Sequence, residues 1–346
     1  MFYLESGGFV GVTCMPNEKG FEKAITLIGK SGSILITTHT KPDGDACGCV
    51  AAMCEALAAL GKQARPLMLS PVPQWYAFLF NERVPILGED VRLEELMAGR
   101  FGRFDLVVIV DTNSASQLPG FEEYLKQNHV PVLVIDHHET SDGLGDVEVI
   151  DRSAAAAGLI VLDLLRHAGW PVTGRIAEAI FVAVATDTGW FQFSNTDSRS
   201  YRACAELIDA GAKPTHIYAN LYQNFSQQRF SLMVSMLDSL ELHLDGRYAV
   251  MQITQQDFER TGAAYSDTEN LINEPHRMGT VRASALFIEL KDGRIRCSLR
   301  SRGGPDVSQI AAQFGGGGHT MAAGTYLPGP LENAKQLILA EMEKRL

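Results

Sequence analysis

Positive charge is scarce in this chain. Lys and Arg number 30 against 41 Asp and Glu, a net charge of −11, so no general electrostatic attraction draws it to long nucleic acid. An acidic chain can still bind a small anion through cations and a local Arg/Gly pocket. Long apolar runs are missing as well. No stretch reaches the roughly 18 uncharged apolar residues of a membrane-spanning helix, and the opening Met1-Phe2-Tyr3-Leu4-Glu5 lacks the basic and apolar regions of a secretory signal. A soluble, cytoplasmic protein with no membrane partner is the expectation. The six cysteines are Cys14, Cys47, Cys49, Cys54, Cys204 and Cys297. Cys47-Gly48-Cys49 has the wrong spacing for a zinc knuckle, and no second pair follows it. They read as small buried apolar residues in a reducing compartment. Internal repeats and low-complexity tracts are also absent.

What is present suits a globular protein: 346 residues, 46% hydrophobic and 21% charged, enough for two domains with real cores. From about residue 17 to 200 the pattern alternates helix and strand. Helical stretches run over Phe21–Lys30, Ala46–Leu60 and Phe121–Gln127, with strands at Ser33–Thr38, Gln63–Met68, Asp105–Val110 and Val132–Ile135. This alternation predicts an α/β domain with a doubly wound parallel sheet. Two apolar helical segments follow, Gly158–His167 and Arg175–Thr186, then helices broken at Gly211–Pro214. Past Asp245-Gly246-Arg247 the chain turns β-rich, with a hairpin signal at Lys291-Asp292-Gly293. The expected organisation is an α/β domain over 1–224, a connecting helix over 225–240 and a smaller α+β domain over 241–346.

Short acidic and histidine motifs end the apolar runs of the first part. Ser33–Thr38 leads into His39-Thr40-Lys41-Pro42-Asp43-Gly44-Asp45, Leu106–Val110 into Asp111, and Val132–Ile135 into Asp136-His137-His138. Asp187 closes a helical segment at Thr186-Asp187-Thr188-Gly189. Any one Asp or His could be a turn former or a solvated loop residue. Together they should converge, because open parallel sheets place ligands at the carboxyl ends of their strands. Gathered carboxylates repel one another, and divalent metal is the usual reason to tolerate that. Carboxylate with imidazole suits Mn²⁺, Mg²⁺ or Zn²⁺.

These four motifs resemble those of the DHH phosphoesterases, a superfamily of manganese-dependent nucleases and pyrophosphatases. Gly315-Gly316-Gly317-Gly318-His319-Thr320-Met321-Ala322-Ala323-Gly324 resembles the signature of the DHH-associated substrate domain in the nuclease branch. The resemblance covers nearly the whole chain. It implies two Mn²⁺ ions (Mg²⁺ or another divalent ion in their place), one held by His39, Asp43 and Asp111, the other by Asp45, Asp111, His137 and Asp187. Asp111 would bridge them. Asp136 would orient a ligand imidazole. His138 would contact the scissile phosphate or assist proton transfer to the leaving group. Arg300, Ser301, Gly316, Gly317, Gly318 and His319 would bind the substrate, the glycines through backbone N–H groups closely approaching an anion and Arg300 through paired hydrogen bonds. Arg302, Arg282 and Arg277 are weaker candidates.

The function implied is hydrolysis of short oligoribonucleotides to mononucleotides, and of 3′-phosphoadenosine 5′-phosphate to AMP. A soluble cyclic or linear dinucleotide phosphodiesterase and a single-strand-specific exonuclease remain open. Long duplexes are not expected partners, and a homodimer is a family-level expectation. Two departures stand out. Ala154-Ala155-Ala156-Ala157 follows Ser153 where relatives often carry a Ser-Thr pair, which leaves helix packing as the role there. Cys49 replaces a common Ser, a near-isosteric exchange.

Overall fold

The computed structural model describes residues 18–346, so Cys14 and the opening Met1–Glu5 lie outside the described residues. The chain divides between Asn224 and Phe225 into two compact units.

The first unit contains α1 (Glu18–Lys30), β1 (Ser33–Thr37), α2 (Gly44–Ala59), β2 (Gln63–Pro66), α3 (Leu93–Met97), β3 (Leu106–Val110), α4 (Phe121–Gln127), β4 (Val132–Asp136), β5 (Val147–Ile150), α5 (Ala157–Ala168), α6 (Gly174–Asp187), α7 (Ser198–Asp209) and α8 (Pro214–Tyr222). Its five strands form one sheet in the order β2-β1-β3-β4-β5, all parallel. Side chains alternate across a strand. Ile34, Ile36, Leu106, Val108, Val110, Leu133 and Ile135 therefore face one core with α1, α2, α5 and α6. Leu35, Val107, Ile109, Val132 and Val134 face another with α3 and α4. Both faces are covered, as an all-parallel sheet requires, and the doubly wound fold stands.

Close helix packing sets the site's geometry. A Cβ on Gly44 would lie 2.3 Å from Thr186 Oγ1, and one on Gly48 would lie 2.4 Å from the Ala179 carbonyl oxygen. Only glycine lets α2 approach α6 this closely. The approach brings the start of α2, with Asp43 and Asp45, to the end of α6, with Asp187. Cys47, Cys49 and Cys204 are buried, and Cys54 partly so.

The second unit holds α9 (Gln227–Asp238), β6 (Glu241–His243), β7 (Tyr248–Ile253), α10 (Gln255–Thr261), β8 (Ala283–Glu289), β9 (Arg294–Ser301), α11 (Val307–Gln313), β10 (Gly317–His319), β11 (Ala322–Pro328) and α12 (Leu331–Glu343). The six-stranded sheet runs β10-β11-β9-β8-β7-β6, antiparallel except for β7 with β8. One face packs on α11 and α12. On the other, α9 buries Leu232 and Met236 against Met251, Ile253, Leu286 and Ile288. The segment expected as a connector is thus part of this unit's core. Among the described residues, no helix is long and apolar enough to cross a membrane.

Candidate metal centre and the glycine–arginine row

In a sheet ordered 2-1-3-4-5, the strand order reverses between β1 and β3, and ligands bind outside the carboxyl ends there. His39 follows β1, Asp111 follows β3 and His137 follows β4. Asp111 adopts a left-handed backbone with φ 59°, a conformation that Asp tolerates better than most residues. It is 2% exposed, and its Oδ1 has no hydrogen-bond partner. Its Oδ2 lies 3.4 Å from His39 Nε2 and its Oδ1 lies 3.5 Å from His137 Nε2. His39 Nε2 is also 4.0 Å from Asp43 Oδ1, while His137 Nε2 is 3.7 Å from both Asp45 Oδ2 and Asp187 Oδ2.

Each of these two imidazoles turns its other nitrogen to a backbone carbonyl. His39 Nδ1 is 2.8 Å from Thr40 O, and His137 Nδ1 is 3.1 Å from Ala154 O. That places a proton on Nδ1, so that once the second proton is lost each ring presents Nε2 as an inward lone pair, the arrangement of metal-binding histidines. Asp43 caps α2 by accepting from the N–H groups of Asp45 and Ala46. Asp45 is 1% exposed and accepts from the N–H groups of Ala157 at 2.6 Å and Gly158 at 2.9 Å, at the start of α5.

The electrostatics show the crowding. Burial opposes a charge on His39, but its contact with Asp111 and the charges of Asp111 and Asp43 outweigh it, raising its pKa to about 9. Burial likewise opposes a charge on His137, and Asp111, Asp45 and Asp187 together raise it to about 10. Burial pushes Asp111 up, yet His137 and His39 bring it down to about 2. Asp187 is raised to about 6, chiefly by burial. Protons on the imidazoles here occupy positions where a cation would neutralise the carboxylates. Among the described residues, three donor groups lie close enough to hold an ion: His39, Asp43 and Asp111; Asp45, His137 and Asp187; and Asp111, His137 and His138. With an orphaned buried carboxylate oxygen at their junction, this donor set fits divalent metal.

Asp136 departs from expectation. It is fully buried, and its Oδ1 accepts the His137 backbone N–H at 2.8 Å, but the ring it holds is that of His138, whose Nδ1 is 2.7 Å away. The His137 ring is already held by Ala154. The His138 side chain is 43% exposed, and the hydrogen bond to Asp136 raises its pKa.

In the second unit, His319, Ala322, Arg300 and Ser284 are successive cross-strand partners over β10, β11, β9 and β8. Arg300 and His319 thus occupy one row. Ser301 does not join them. Strand alternation sends it to the opposite, buried side with Leu299 and Cys297. The glycine run is not an open anion-binding loop either. The Gly315 and Gly316 N–H groups donate back to Ala312 and Ala311 of α11, and Gly317–His319 forms the exposed edge strand β10. A Cβ on Gly316 would meet the Gly324 carbonyl oxygen at 2.3 Å, and one on Gly318 would meet that of Ala322 at 2.4 Å. Here glycine serves close strand packing.

The DHH family, N-terminal domain, matches residues 33–184, and the DHHA1 domain matches residues 245–346. The bifunctional oligoribonuclease and PAP phosphatase NrnA of Thermus thermophilus is 30% identical over 345 residues, covering 96% of this chain and 97% of that protein. The chain belongs to the DHH family. It is a phosphoesterase, a hydrolase. The fold of this DHH chain is that of an exopolyphosphatase-related protein from Bacteroides fragilis, with TM-score 0.89 at 22% identity over 96% of this chain and 98% of that one. It is also similar in fold to exonuclease RecJ bound to manganese, with TM-score 0.55 at 18% identity over 94% of each chain.

Several residues at the DHH centre carried no signal in the sequence. The alanines after Ser153 contribute through the main chain: Ala154 by its carbonyl, Ala157 with Gly158 by their N–H groups. Missing hydroxyls are immaterial to such contacts. Asn195 donates to the carbonyls of both Ala155 and Asp187, at 3.1 Å each. Cys49, read as a neutral exchange, places its thiol 3.4 Å from Asp45 Oδ1.

Proposed function

We propose that this phosphoesterase hydrolyses short oligoribonucleotides to mononucleotides and 3′-phosphoadenosine 5′-phosphate to AMP, in the cytoplasm, with two divalent cations of the Mn²⁺ type. The observation that carries the reading is Asp111, a buried carboxylate with one oxygen toward each of two donor groups. His39, Asp43 and Asp111 would hold one ion, and Asp45, Asp111, His137 and Asp187 the other. When bound, such a pair supplies a nucleophilic water near neutral pH and stabilises charge on the phosphate.

The chain's own groups do the rest. The Asp136 carboxylate accepts from Nδ1–H of His138 and favours the imidazolium. His138 Nε2–H then gives its proton to the leaving oxygen as the P–O bond breaks. Arg300 grips a substrate phosphate with paired N–H groups, and His319 on the same row contacts the nucleotide. The net charge of −11 suits a small substrate better than a long duplex. The Thermus relative, a bifunctional oligoribonuclease and PAP phosphatase, supports this substrate class.

The test is turnover with Mn²⁺ of a labelled diribonucleotide, 3′-phosphoadenosine 5′-phosphate and a long single strand. Fast turnover of the first two and slow decay of the third is expected. Preference for the long strand would move the chain to the exonuclease reading. Turnover of none of them would overturn the proposal.

A further inference from the structure

The segment that leads from β5 into the first turn of α5 meets ligand-bearing parts of the site through its main chain. The Ala154 carbonyl meets His137 Nδ1, and the N–H groups of Ala157 and Gly158 meet both oxygens of Asp45. Between them, the Ala155 carbonyl accepts from Asn195 Nδ2 at 3.1 Å. The segment is itself anchored. Asp151 Oδ1 accepts from Ser153 N and Oγ, while Arg199 joins Asp151 Oδ2 to Asp163 Oδ2 on α5, at 2.7 Å each. Ala154, Ala155, Ala157 and Gly158 thus form an alanine bracket between two ligand-bearing elements, the end of β4 with His137 after it and the start of α2 with Asp45.

The third element is the end of α6, where the carbonyls lack helical partners. Asp187 is its last residue. The turn beyond it is unusual: Gly189, Trp190 and Phe191 all have positive φ, 56°, 58° and 65°. Bulky residues hold that conformation only when their surroundings over-determine it. Asn195 closes the turn. Its amide nitrogen has two hydrogens, one directed to Ala155 O and the other to Asp187 O. The residue is exposed, so it has no burial role that would explain these contacts.

We propose that Asn195 is a positioning residue of the metal centre. Its carboxamide ties the Asp187 turn to the alanine bracket and so fixes the Asp187 carboxylate against His137. This rests on the metal-ligand roles proposed above. A hydroxyl cannot replace the carboxamide, because two donors are needed at once.

The experiment is calorimetric titration of the full-length, metal-free protein with MnCl₂, using the parent, Asn195→Ala and Asn195→Leu, alongside thermal melts without metal. The parent should bind two ions. Both variants should weaken one binding event by about tenfold or more, in the range found for outer partners of metal ligands, with the metal-free melting temperature unchanged. Two events as tight as in the parent would overturn the proposal. So would equal weakening of both events with a lowered melting temperature, which marks a folding role. A parent that binds no Mn²⁺ would overturn the metal reading itself, and this inference with it.

Discussion

The end of the first sheet and the row on the second sheet carry charged, chemistry-bearing groups under very different constraint. At the first, Asp45, Asp111 and Asp136 are buried, and both inward imidazoles are oriented by backbone carbonyls. At the second, His319 stands exposed on an edge strand, and the Arg300 guanidinium donates to the neighbouring Leu299 carbonyl, at 3.0 Å. Metal ligands must be held near final geometry before the ion arrives, because an ion tolerates little error in distance. A residue that grips a flexible, solvated phosphate can adjust on contact. The difference predicts that substitutions in the first region act on metal and turnover, and those in the second on substrate affinity.

The sharpest break would come at Asp111. Asp111→Asn keeps a side chain that tolerates the left-handed backbone but removes the charge facing both imidazoles. Turnover with Mn²⁺ should fall by about 10⁴-fold or more, as for members of a catalytic unit, and calorimetry should show impaired binding of both ions. Next is His138→Gln. Loss of the proton donor should lower kcat by about 10²–10⁴-fold while Mn²⁺ affinity stays near the parent's. A matching loss of metal would put His138 among the ligands.

Metal uptake should also depend on pH. Without metal, His39 and His137 titrate at about 9 and about 10, so at pH 7 both carry protons that an ion must displace. Apparent Mn²⁺ affinity should therefore rise with pH, by up to about tenfold per unit for each proton displaced, and level off above pH 10. Affinity independent of pH from 6.5 to 8.5 would remove these imidazoles from the ligand set. The mildest change is Arg300→Ala. A lost charge-assisted contact of about 1.5–3 kcal/mol should raise KM by roughly tenfold or more, with kcat and metal stoichiometry kept. Loss of metal from this variant would erase the contrast between the two regions.

The same contrast governs how much could be read from the sequence. In the first unit, apolar strands ending in Asp or His announce both the parallel sheet and the edge where the site lies, since strand direction and site position are one signal. That signal sets His39, Asp43, Asp45, Asp111 and His137 at one edge, whereas Asp187 ends a helix, α6, and is marked by its motif alone. The residues that orient them were not legible. Ala154, Ala157 and Gly158 act through backbone atoms that every residue has, and Asn195 lies in an irregular turn with no periodicity. The short strand β5 carries Glu148 in its middle, which blurs its apolar pattern. In the second unit, four glycines in a row resemble a flexible loop. Gly317 and Gly318 instead enter the edge strand β10, and β11 approaches too closely for a Cβ at Gly316 or Gly318. The resemblance implies Ser301 beside Arg300 as a substrate contact, and the two-residue period of β9 separates them.

The most direct measurement is the anomalous scattering of crystals grown with MnCl₂. The account predicts two manganese peaks roughly 3.5–4 Å apart, with one oxygen of Asp111 on each. A single peak, or two peaks that do not share Asp111, would contradict it.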